Sequence, residues 1–165
     1  MAYMESMSDD LYSNAVLRLA ADIPRIGRLA RPHASARKVS RLCGSEVEVD
    51  LVMQNGRIAD LALRVKACAL GQASAAVLGR HAVGASLKEL TAARDGLKAM
   101  LKQGRMLPAG RFSELKLLES ARAYPARHQS ILLAFDAALD AANKASAVRP
   151  ATTPETTQQT GQTTG

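Results

Sequence analysis

The chain has 165 residues, a net charge of +7 and 47% hydrophobic side chains, which suits one globular domain and excludes a wholly disordered protein. Aromatic side chains make up only 3%, with no Trp, so nucleic-acid modules that stack bases are disfavoured. Two cysteines cannot build a disulfide framework, no run approaches the ~20 apolar residues of a membrane span, and the start, MAYMESMSDD, has no signal-peptide core. A reduced, cytoplasmic protein is the expectation.

Ser8 can cap a first helix, with Asp9 and Asp10 at its positive end. Leu11, Tyr12, Ala15, Val16, Leu19 and Ile23 recur on one helical face, and Pro24 ends the run. Residues 33–41 form a weak edge strand by pattern, with bases suited to an edge. From Glu46 to Met53 the chain alternates, with Val47, Val49, Leu51 and Met53 on one face. Asn55-Gly56 then signals a hairpin, and Arg57 to Lys66 is the return strand.

After the strands the period lengthens. Ala69 to Leu78 reads as an Ala-rich helix. Ser86-Leu-Lys-Glu89 is a capping box that opens a helix with Leu87, Leu90, Leu97 and Leu101 inward, closed by Gly104. Ser113 to Ala123 reads as another helix, with Leu115, Leu118 and Arg122 aligned and Leu117 adjacent. Pro125 can start a last one, buried along Ile131, Leu132, Phe135, Leu139 and Ala142. The fold class is therefore α+β: a small antiparallel three-stranded sheet packed against about five helices. Residues 1–146 form the domain. Residues 147–165, rich in Thr and Gln, form a tail whose composition predicts disorder.

Both thiols fall at element ends. Cys43 lies in Leu42-Cys-Gly-Ser45 between two strands, and Cys68 lies between a strand end and a helix start. Helix N-terminal amides favour a thiolate, although a small buried hydrophobe is the plainer reading of each. His33 and His81 are isolated and read as surface or capping residues. Ser130 has no Asp/His constellation, and no phosphate-binding fingerprint is present, so the chain is not expected to be an enzyme. Arg25, Arg28, Arg31, Arg37, Lys38 and Arg41 stand in a stretch without acids. That stretch is either a solvated face or a docking patch for an acidic partner. Nucleic acid could use it too, but no reading motif accompanies it.

Asp10-Leu11-Tyr12, Leu42-Cys-Gly44, Asn55-Gly-Arg-Ile58, Cys68-Ala-Leu-Gly-Gln-Ala-Ser74 and Pro125-Ala-Arg-His-Gln-Ser-Ile-Leu-Leu-Ala-Phe135 occur in that order. Together they resemble the iron–sulfur cluster assembly scaffolds of the NifU N-terminal, IscU and SufU type. The resemblance implies that a cysteine desulfurase delivers persulfide sulfur, that iron joins it, and that the cluster passes to apo iron–sulfur proteins. Cys43 and Cys68 would be ligands or sulfur acceptors, and His128 a third ligand. The chain departs from the family pattern at its chemistry: Ser45 replaces an Asp, Ala67 replaces a Gly, and the third Cys position falls on Ser130 or on Gln129. Zinc or a [2Fe–2S] cluster takes four donors, and Cys43, Cys68 and His128 supply at most three. The alternative is an interaction protein that keeps the fold, regulates a desulfurase or scaffold, and holds no stable cluster.

Overall fold

The computed structural model describes residues 12–148. Helix α1 (Asn14–Ala21) is followed by strands β1 (Ala34–Val39), β2 (Glu46–Gln54) and β3 (Arg57–Lys66). Helices α2 (Ala69–His81) and α3 (Leu87–Gln103), a 3₁₀ helix (Ser113–Ala123) and α4 (Pro125–Val148) complete the order. The strands form one antiparallel sheet, β1-β2-β3, and the α+β expectation holds. The Ser8 cap lies outside the described residues. Ser13 caps α1, its Oγ accepting the Val16 N–H.

Alternation in β2 sends Val47, Val49 and Leu51 into the core. Asn55 and Gly56 both take positive φ, 54° and 76°, the geometry of a tight two-residue hairpin turn. A bulge precedes the turn in the β2–β3 pairing at Val52/Met53; on the opposite edge of β2, beyond the last β1–β2 pair, the Met53 N–H donates to His33 Nδ1. His33 thus satisfies a main-chain group of β2 that lies past the end of β1.

The other face of the sheet carries Asp50, only 4% exposed. It accepts two charge-assisted bonds from Arg64, one from the Ser35 hydroxyl and one from the Leu29 N–H. Arg64 also reaches Glu48 and the Gly27 carbonyl. These bonds strap residues 27–29 across the sheet. The strap's start pairs with the outer edge of β3, where Gly27 N–H donates to Leu63 C=O and Leu63 N–H donates to Arg25 C=O.

The basic stretch looks different in three dimensions. Arg37 forks onto Glu46, Lys38 meets Asp140 and Arg25 meets Asp60. Its acids are absent in sequence because they come from β2, α4 and β3. Arg31 and Arg41 make no ion pair among the described residues.

Helix α4 is the centre of the molecule. Ile131, Leu132, Leu133, Ala134, Phe135, Ala137, Ala138, Ala141, Ala142 and Ala145 are all buried, so it is covered nearly all round. The capping box of α3 forms as the sequence predicts, and Gly104 closes that helix with φ 68°. The segment after it is 3₁₀, not α. Phe112, Leu115, Leu118 and Ala121 are buried, while Leu117 and Arg122 point outward. A spacing of three, which the chain carries here, matches three residues per turn.

Burial alone would raise the Asp50 pKa, but Arg64, the Ser35 hydroxyl and the Leu29 amide together hold it at about 2. Its stabilisation is present in full above the unfolded carboxyl's pKa, ~3.9, and is lost as pH falls from there through about 2. Asp50→Asn should cost ~3 kcal/mol at pH 7, because it leaves Arg64 without its buried partner. Denaturant melts at pH 7 and pH 2.5 test both statements: the deficit of the variant should shrink at the lower pH.

Candidate functional site

Three elements meet at one end of the sheet. The first is the β1–β2 connection, where Ser40 N–H donates to Ser45 C=O and Gly44 N–H donates to Ser40 C=O. Gly44 has φ 69° and open space around its Cα, so backbone conformation and not room is what requires glycine. The turn exposes Cys43 and tucks Ser40 and Ser45 inward, 0% and 3% exposed.

The second is the N-terminus of α2, where Cys68 is the N-cap residue, half-buried. The third is the second turn of α4, which carries Ser130, 1% exposed. Helices α2 and α4 cross here at Gly71. A Cβ on Gly71 would lie 2.7 Å from Ser130 Oγ and 2.9 Å from Ala67 Cβ. Absence of a side chain is what lets Ser130 sit beside Cys68.

The thiols are joined through two hydroxyls. Cys43 Sγ is 3.2 Å from Ser45 Oγ, Ser130 Oγ donates to Ser45 Oγ at 3.0 Å, and Ser130 Oγ is 3.5 Å from Cys68 Sγ. These three legs laid end to end are the upper limit of the sulfur–sulfur separation. Cys43 Sγ also contacts Ser40 Oγ at 3.4 Å, and Ser40 donates to Gln129 Oε1.

A hydroxyl has one proton to give. With Ser130 donating to Ser45, the Ser45 proton is free to point at Cys43, and a Ser130 lone pair is free to accept from Cys68. That direction supports a thiolate at Cys43 and a thiol at Cys68. Reversing both hydroxyls supports the opposite pair.

The Cys43 pKa falls from 9.0 to about 7, chiefly through the Ser40 and Ser45 hydroxyls, against a small opposing effect of burial. At Cys68 burial pushes the pKa up. Ser130, the Gly71 and Leu70 amides and the Arg127 charge together outweigh it and lower the value. The amides act as helix N-terminal donors to sulfur.

Of the residues singled out in the sequence, the structure brings Cys43, Cys68 and Ser130 together. Gln129, the other position for the third Cys, reaches the site through Ser40. His128 is not brought to it. Its ring is buried, and Nε2 faces the Ala121 and Arg122 carbonyls at 3.0 and 3.2 Å. His81 is held by Glu114 at 2.9 Å. Sequence reasoning missed Ser40 and treated Ser45 only as a lost carboxylate. No local pattern marks them: Ser40 and Ser45 bracket the exposed residues 41–44, and Ser130 follows the exposed Gln129. Among the described residues no three His, Cys, Asp or Glu side chains are grouped to hold a metal ion.

No family model matches the chain. The crystal structure of a nitrogen-fixing NifU-like protein (N-terminal) from Brucella abortus is 48% identical with a TM-score of 0.84, over 86% of this chain and 98% of that one. The iron–sulfur cluster assembly scaffold protein IscU of Thermotoga maritima is 24% identical over 125 residues, 76% of this chain and 87% of that protein. A SUF-system scaffold structure from Fervidobacterium islandicum AW-1 shares the fold at 20% identity, TM-score 0.75, over 82% of this chain and 98% of that one.

Two outcomes follow from the geometry. In a Cys68→Ala background, alkylation of Cys43 should reach half its limiting rate near pH 7. Adding Ser45→Ala should move that midpoint toward the ordinary thiol value, ~8.5; iodoacetamide rates against pH measure both. Separately, Gly71→Ala should destabilise by ~1–3 kcal/mol through overpacking at the helix crossing, measured by urea unfolding.

Proposed function

The chain belongs to the NifU N-terminal, IscU and SufU family of iron–sulfur cluster assembly scaffolds, and from that premise we propose that it works as a scaffold or carrier in cluster assembly. The thiols Cys43 and Cys68 contact the cargo. The observation that carries this reading is the meeting of the two thiols, 25 positions apart in sequence, through Ser45 and Ser130 at one exposed end of the sheet.

Iron and sulfur are substrates here. A thiolate is the form that attacks a persulfide and the form that ligates iron. The serine hydroxyls make Cys43 available as that anion near neutral pH. A cysteine desulfurase is the sulfur source and apo iron–sulfur proteins are the recipients in this reading. Arg41, which makes no ion pair among the described residues, stands beside Leu42 and Cys43, and with Leu42 68% exposed it gives a partner both a charge and an apolar contact next to the reacting sulfur. No helix among the described residues is long and apolar enough to cross a membrane.

The second reading, a regulator that docks without holding a cluster, draws on the serines. Ser45 and Ser130 stand where the family pattern has an Asp and, in one alignment, a Cys, and a neutral hydroxyl is a weaker donor than either anion. The combined variant Ser45→Asp, Ser130→Cys distinguishes the two readings. It should raise iron and sulfide occupancy per chain several-fold after anaerobic loading, measured by iron and acid-labile sulfide assay. If neither wild type nor the variant takes iron and sulfide, and Cys43→Ser with Cys68→Ser leaves cellular iron–sulfur enzyme activity unchanged, the regulator reading replaces the scaffold reading.

A further inference from the structure

We propose that the two thiols act in a fixed order: Cys43 receives the terminal sulfur of a persulfide donor, and Cys68 takes it over within the same chain while a proton returns through Ser130 and Ser45. The inference rests on the scaffold reading and asks why two thiols with different surroundings stand at one site.

Access sets the order. Cys43 is exposed on the β1–β2 turn, whereas Cys68 is half-buried at the start of α2. A persulfide carried on another protein therefore meets Cys43 first. Cys68 is the better resting place for the sulfur. The Gly71 and Leu70 amides and the Arg127 charge act on its Sγ, and its partial burial shields the new S–S bond from dissolved thiols that would strip it.

The serines supply the return path for the proton. Ser130 Oγ donates to Ser45 Oγ at 3.0 Å. That leaves Ser45 its own proton for Cys43, 3.2 Å away, and leaves Ser130 a lone pair for the Cys68 thiol, 3.5 Å away. The donor direction thus runs from Cys68 to Cys43. Sulfur that crosses from Cys43 to Cys68 needs a proton going the other way, and this is the direction already in place. A persulfide lengthens Cys43 by one S–S bond, ~2 Å, on a turn with open space at Gly44. The Ser40 and Ser45 hydroxyls stand at Cys43 Sγ to take up its charge as it leaves.

Both steps balance. In the first, the Cys43 thiolate attacks the terminal sulfur of the donor R–S–SH, giving a persulfide on Cys43 and the thiolate R–S⁻. In the second, Cys68 Sγ attacks that same terminal sulfur and its bond to Cys43 Sγ breaks. The Cys68 proton passes through Ser130 and Ser45 to Cys43 Sγ, leaving a persulfide on Cys68 and a thiol on Cys43. Each step exchanges one S–S bond for another, so no oxidant or reductant is consumed.

Full-length protein is pulsed anaerobically with glutathione persulfide carrying an isotope-labelled terminal sulfur, freed of donor by rapid gel filtration, and alkylated at intervals. Tryptic peptides 42–57 and 67–80 report the two cysteines separately by mass. The label should appear on Cys43 first and move to Cys68 after the donor is gone, at a rate independent of protein concentration. Cys43→Ala should load Cys68 roughly tenfold more slowly than wild type does. Ser130→Ala, with its fold checked by circular dichroism, should slow the second step relative to the first by roughly a hundredfold, the usual worth of a positioned proton-transfer group. Label that stays on Cys43, a transfer rate that rises with protein concentration, Cys68 loaded as fast in Cys43→Ala as in wild type, or an unchanged ratio in Ser130→Ala overturns the hand-off and leaves the scaffold reading standing. No label on either thiol also overturns the hand-off; if the chain then fails to take up iron and sulfide, the scaffold reading falls with it.

Discussion

Where α2 crosses α4 there is no room for a methyl group: a Cβ on Gly71 would press on Ser130 Oγ from 2.7 Å. Much of the molecule is arranged around that crossing. Helix α2 buries Gly71, Ala73, Ser74, Ala75 and Ala76 beside the larger Leu70, Val77 and Leu78, and small side chains let two helices approach closely. Helix α4 is wrapped by the sheet, α2 and α3, so its position fixes theirs. Cys68 caps α2 just before Gly71, and Ser130 lies on α4 just after the buried His128. The approach that closes the core therefore also presses a hydroxyl against a thiol.

The sheet adds the third component. Its β1–β2 turn reaches the same end and delivers Ser45 to Ser130 and Cys43 to solvent. Cys43 is held by hydroxyls on a surface turn, whereas Cys68 is held by a helix end and partly shielded. Each serine has one proton to give, so a thiolate at one end leaves the Ser130–Ser45 bond in place, whereas thiolates at both ends take both protons and break it. The site is thus polarised by its own hydrogen-bond direction before any ligand arrives.

Much of this was readable from residue order. Alternation in β2, Asn55-Gly56, the capping box at Ser86 and Pro125 each announce a local structure through a local rule, and each formed. The 3₁₀ helix was misread because Leu115 and Leu118 fit both periods, and only the burial of Ala121 in place of Arg122 separates them. The ion pairs of the basic stretch were not legible, because the acids that neutralise Arg25, Arg37 and Lys38 are distant in sequence. The meeting of Cys43, Cys68 and Ser130 was legible only by resemblance, since no spacing rule links residues on a turn, a helix cap and a later helix. Ser40 was not legible at all: its hydroxyl gains meaning only from Cys43 and Gln129 on either side of it. His128 shows the reverse, a residue type that suits iron and is instead engaged with the end of the 3₁₀ helix.

The short pairing of residues 25–27 with Leu63 carries a consequence for how the sheet meets other sheets. Along that stretch it occupies the outer edge of β3, so among the described residues the free edge of the sheet is the one on β1. Strand addition that propagates needs two free edges per subunit, one to receive and one to offer. With one side closed, an encounter through β1 ends as a pair. A 25–27 segment that came loose would reopen the second side and turn a terminating contact into a growing one.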